Sequence, residues 1–129
     1  MAYKMRMTEA EAIGRMFASP LTGRAECVAF VQQAAGAPLT SLWKRGVKVS
    51  SASPGQIQPG TAIATFDANG SYPSDNLGKH AAIYLSHTTT YILVLDQWAK
   101  LGFVGKREIK FNVTGKSRSN DGNTFYVIE

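Results

Sequence analysis

The chain has 129 residues, is 44% hydrophobic and carries a net charge of +5 at pH 7. That fits one folded domain over residues 1–129 with its own core, and excludes a disordered segment. No apolar run approaches the roughly 20 residues that a membrane span needs.

The start, Met1 to Met7, is basic but has no apolar stretch behind it. It does not read as a secretory signal peptide, so synthesis in the cytoplasm is expected. Thr8-Glu9-Ala10-Glu11 is a capping box. Ala10, Ile13, Met16 and Phe17 follow at helical spacing, and Ser19-Pro20 ends that helix. A second helix is predicted from Gly23, with Glu26 and Cys27 in its first turn and Val28, Val31 and Ala35 on its apolar face. Gly36 and Pro38 stop it. Leu39 to Trp43 reads as a short third helix closed by Gly46.

After Val49 the pattern changes to strands: Thr61 to Phe66, Lys79 to Ser86, Thr90 to Trp98, Phe103 to Phe111 and Asn123 to Ile128. Helices first and about five strands after is an α+β arrangement, with the helices packed on an antiparallel sheet. Asp67 to Gly78 is a long loop for so small a chain, and loops of that length often form functional rims.

Cys27 is the lone cysteine, so it makes no internal disulfide. At a helix start the free N–H groups and the macrodipole favour a thiolate. A thiolate nucleophile needs a base and a group that orients the base. Two histidines are present. His80 opens an apolar strand, whereas His87 lies in the following turn and is the weaker candidate. A β-hairpin centred on Thr88 sets Asp96 opposite His80. A two-residue Thr88-Thr89 turn sets Gln97 there instead, although β-branched residues resist tight turns. Asp96 is therefore the expected orienter, with Gln97 as alternative or auxiliary. Taken singly, each residue also has a packing explanation; free cysteines are commonly buried.

The basic residues are scattered from Lys4 to Arg118, without a dense run or a nucleic-acid motif, so nucleic acid is not an expected partner. No phosphate-binding glycine loop or Gly-x-Ser-x-Gly elbow is present. One cysteine and two histidines without ligand spacing do not suggest zinc. No cofactor is expected.

Glu26-Cys27-Val28-Ala29, Pro59 to Ala64, Lys79-His80-Ala81-Ala82-Ile83-Tyr84 and Leu95-Asp96-Gln97-Trp98 resemble the NlpC/P60 and CHAP class of papain-like peptidoglycan amidases. More narrowly, the chain is similar to the second family of type VI secretion amidase effectors. The resemblance implies a papain-like fold and a Cys27, His80, Asp96 triad. It implies cleavage of the D-alanine–meso-diaminopimelate cross-link, or, as in relatives, of the γ-D-glutamyl–diaminopimelate bond. It also implies injection into a rival's periplasm and a cognate immunity protein, with the enzyme itself a monomer. Tyr72 and Asn76 in the long loop are expected to contact substrate; Trp43 is more readily explained as core. A phage-type CHAP lysin shares this chemistry, and a catalytically silent binding module is the alternative of another class.

Overall fold

Helix α2, Cys27–Ala35, lies against one face of a six-stranded antiparallel sheet, in a computed structural model that describes residues 2–129. The strands are β1 Arg45–Lys48, β2 Ala62–Thr65, β3 Ala81–His87, β4 Tyr91–Asp96, β5 Gly105–Lys110 and β6 Phe125–Ile128. Their order across the sheet is β1-β6-β2-β3-β4-β5. A four-residue helix α1, Glu9–Ala12, precedes α2 and keeps its capping box.

The core is divided by the sheet. Ala62, Ala64, Ala81, Ile83 and Leu95 pack with Phe30, Val31, Ala34 and Ala35 of α2. Ile63, Ala82, Tyr84 and Val94 point to the other side, against Val49, Phe111 and Phe125. Alternation along each strand produces this division. All four residues of β2 are buried, as a strand covered on both faces requires. The small side chains at 62, 64 and 81 let the helix approach the sheet closely. Fully burying a residue such as Phe30 or Val31 stabilises by about 1.5–3 kcal/mol.

Five local expectations need correction. Helix α1 stops at Ala12, and the predicted continuation to Phe17 does not form. The backbone there bonds elsewhere: Gly14 N–H donates to Val104 O at 2.9 Å, and Val104 N–H to Arg15 O at 2.8 Å. Helix α2 starts at Cys27, with Glu26 as its N-cap, so the thiol sits on the first helical residue. Leu39 to Trp43 forms a single 3₁₀ turn, Thr40–Leu42. Directly after it, β1 is a sixth strand that the sequence pattern hides. Gly46 weakens the strand signal, yet it is required: a Cβ there would lie 2.9 Å from Val127 O.

The β3–β4 register is the fifth correction. Thr88 N–H donates to Tyr91 O at 2.9 Å, closing a tight turn over Thr89 and Thr90. The Thr88 hydroxyl accepts from both Thr90 N and Tyr91 N, which lets threonines occupy this turn. The register then shifts between Tyr84 and Ser86, and Ile83 pairs with Leu95. Continued by one step, that register sets Asp96 opposite Ala82. Neither Asp96 nor Gln97 faces His80 directly.

Candidate active site

Cys27 is half-buried at the start of α2, where the first amides have no partner inside the helix. His80 comes to it from the sheet, one residue before β3. The His80 backbone is fixed on both sides: its N–H donates to Thr65 Oγ1 at 3.0 Å and its carbonyl accepts from Thr65 N at 3.0 Å. Gly78, just ahead, has φ +104, and a Cβ on it would lie 2.9 Å from Ser117 Cβ. Only glycine lets the chain enter the site along this path.

The imidazole is buried, with Nε2 donating to Asp96 Oδ2 at 2.7 Å. That leaves Nδ1 as the ring nitrogen available to Cys27, which lines the same cavity. Burial alone would lower the His80 pKa. The bonds to Asp96 and to Cys27, with their negative charges, outweigh it and raise His80 to about 9. For Cys27, burial works against the thiolate. The His80 bond and charge, the Ala81 N–H and the Tyr72 hydroxyl overcome it, so the thiol pKa is lowered. Both shifts favour a thiolate–imidazolium pair.

Asp96 is held from a direction the sequence reading did not anticipate. Arg107 Nε donates to the same Oδ2 at 2.6 Å, from the neighbouring strand β5. Asp96 pairs with Gly105, and Arg107 stands two residues further along, a diagonal neighbour. Arg107 also donates to Asn120 Oδ1 at 3.3 Å and to Ser119 O at 3.4 Å, and its guanidinium lies over the Trp98 ring. A carboxylate at a strand end with an arginine at diagonal spacing on the next strand is the signal that would have found it.

The remaining predicted residues divide clearly. Tyr72 reaches the site: its hydroxyl is 4.0 Å from Cys27 Sγ, and its ring packs edge-on against Trp43 at 4.9 Å. Burial, then the Cys27 charge, raises its pKa well above the usual phenol range, so the O–H stays protonated. Trp43 is core, with Nε1 donating to Pro38 O at 2.8 Å. Asn76 is exposed and lines neither cavity beside Cys27. Gln97 is fully buried but bonds elsewhere: Oε1 accepts from Phe17 N, and Nε2 donates to the carbonyls of Phe17 and Glu26. It anchors the residue before Cys27 rather than His80. His87, expected in a turn, ends β3 with bonds to Tyr84 Oη at 2.6 Å and Ala52 O at 3.0 Å.

Cys27, His80 and Arg107 open onto a cavity of about 520 Å³, also lined by Glu26, Trp98 and Asn120. Among the described residues no group of three or more His, Cys, Asp or Glu is arranged to hold a metal ion, and no helix is long and apolar enough to cross a membrane.

Comparison with known proteins points the same way as this geometry. The family model for domesticated amidase effector 2 (Dae2) matches residues 3–128. A type VI secretion amidase effector 2 protein of Salmonella typhi is 35% identical over 116 residues, covering 81% of this chain and 84% of that protein. Domesticated amidase effector 2 of the tick Ixodes scapularis is 39% identical over 130 residues, covering 93% and 87%. A solved structure of type 6 secretion amidase effector 2 (Tae2) superposes with a TM-score of 0.79 at 30% identity, over 98% of this chain and 94% of that one. The chain belongs to the amidase effector 2 family of papain-like, NlpC/P60-type peptidoglycan amidases.

Proposed function

We propose that Cys27, His80 and Asp96 form the catalytic triad, and that the bond cut is the D-alanine–meso-diaminopimelate cross-link of peptidoglycan. The observation that supports the triad is the His80 Nε2–Asp96 Oδ2 bond at 2.7 Å beside an open cleft that Cys27 and His80 both line. The bond assignment rests on the likeness to the effector family.

Cys27 thiolate attacks the scissile carbonyl. The Cys27 N–H and the Tyr72 hydroxyl donate to the oxygen that becomes negative. The His80 imidazolium gives its proton to the leaving amine as the C–N bond breaks, which leaves a thioester. Water then attacks the thioester with His80 as base, releasing the carboxylic acid and restoring the thiol. Asp96 holds the imidazole and stabilises its charged form.

In this reading the enzyme is delivered by a type VI system, acts in the recipient periplasm, and is neutralised in its producer by an immunity protein. The Salmonella relative's name supports that route. A relative in the tick Ixodes scapularis bears the name domesticated amidase effector 2.

Mass spectrometry of muropeptides tests the assignment. Digestion of purified peptidoglycan is expected to convert cross-linked dimers into monomers with a free diaminopimelate amine. Fragments cut within the stem at the γ-D-glutamyl bond would overturn the cross-link reading.

A further inference from the structure

We infer that Lys79 is the residue that pairs with a free carboxylate on the substrate peptide, beside the scissile amide. The inference rests on the amidase reading of Cys27 and deepens it to an acidic peptide substrate.

Two cavities flank the nucleophile. The first, containing Cys27 and His80, is about 520 Å³. The second, about 410 Å³, is bounded by Thr40, Trp43, Ser71, Tyr72 and Ser74. Tyr72 borders the second, and its hydroxyl lies 4.0 Å from Cys27 Sγ in the first. Lys79 lines both. A peptide laid across Cys27 from one cavity to the other passes this side chain.

The other charges of the cleft are already engaged. Arg107 donates to Asp96, Asn120 and Ser119. Glu26 accepts from Thr22 Oγ1 at 2.7 Å and lies 3.8 Å from Arg24. The Lys79 ammonium is exposed and has no partner among the described residues. Its backbone, by contrast, is fixed: Ser119 Oγ donates to Lys79 O at 3.1 Å, and His80 follows directly, bonded to Thr65. A fixed root with a free cationic tip is suited to reading a charge at a set distance from the reacting centre. A lysine acts there as a flexible point charge rather than a planar fork. The hydroxyl-bearing second cavity has no other cation to compete for the same group.

The test uses binding, so that it stands apart from turnover. Two synthetic cross-linked stem-peptide dimers are made, identical except that the carboxylate next to the scissile amide is free in one and a carboxamide in the other. Each is titrated into the Cys27→Ala protein by calorimetry. The free acid is expected to bind about 5- to 10-fold more tightly at low salt. That preference should disappear in Cys27→Ala/Lys79→Ala, invert in Cys27→Ala/Lys79→Glu and persist in Cys27→Ala/Lys79→Arg. Equal affinities for the two peptides, no binding of either, or a preference that survives Lys79→Ala would overturn the inference. Hydrolysis by the unsubstituted enzyme tests the amidase reading separately.

Discussion

His80 and Asp96 meet on a diagonal across β3 and β4, and the oxygen that receives His80 Nε2 at 2.7 Å also receives Arg107 Nε at 2.6 Å. Asp96 is thus gripped diagonally from both neighbouring strands. The residues standing directly opposite it are small, Gly105 on β5 and, by continuation of the register, Ala82 on β3. Their size leaves room for the longer side chains to reach in. Asp96→Asn keeps the shape but removes the charge that holds the imidazolium, and kcat should fall about 100-fold or more. Arg107→Ala should cost less, about 10-fold, because His80 keeps its acceptor. Muropeptide release rates measure both. Unchanged kcat in Asp96→Asn would contradict the orienting role.

The pH profile has a defined sign. The reactive pair exists above the lowered Cys27 pKa and below the His80 pKa of about 9. Activity should therefore fall as pH rises through about 9, where His80 loses the proton needed by the leaving amine. The same raised pKa contributes stability that is fully present below the unfolded histidine value and is lost as pH rises through about 9. Asp96→Asn removes a bond that raises His80, so both the basic limb and the His80 NMR titration should move to lower pH. With two histidines in the chain, the titrating signals are easily assigned.

Tyr72→Phe retains the ring against Trp43 and removes the hydroxyl near Sγ. Thermal stability should change by less than about 1 kcal/mol. The rate kcat should fall about 100-fold, the lower end of the range for loss of an oxyanion donor. The acid limb should also move upward, because the phenol helps hold the thiolate. A wild-type kcat in this variant would remove Tyr72 from the mechanism.

Gln97→Ala leaves the buried N–H and C=O of Phe17 without their partner and removes one donor from the Glu26 carbonyl, which keeps Ala29 N–H and Phe30 N–H. The expected destabilisation in urea is about 2–4 kcal/mol. A loss below about 1 kcal/mol would show that the amide does not anchor the approach to α2.

Much of this arrangement is legible in the sequence, because it is local. The capping box at Thr8, the helix after Glu26 and the strand that follows His80 all follow from short-range pattern. What is hidden depends on tertiary contacts. β1 is four residues long, contains Gly46, and exists because β6 offers an edge. The β3–β4 register turns on the Thr88 hydroxyl and a shift near Leu85 that no alternation pattern encodes. Gln97 and Arg107 took their roles from partners 80 and 11 residues away.

The proposed role of the Cys27 sulfur as nucleophile is tested most directly by removing it. Purified peptidoglycan is digested with wild-type protein and with Cys27→Ala, the variant's fold being checked by circular dichroism and thermal melting, and the soluble muropeptides are quantified by mass spectrometry. A Cys27 nucleophile requires cross-link cleavage by wild type and none above background by a folded Cys27→Ala. Cleavage at the wild-type rate by the folded variant would contradict it.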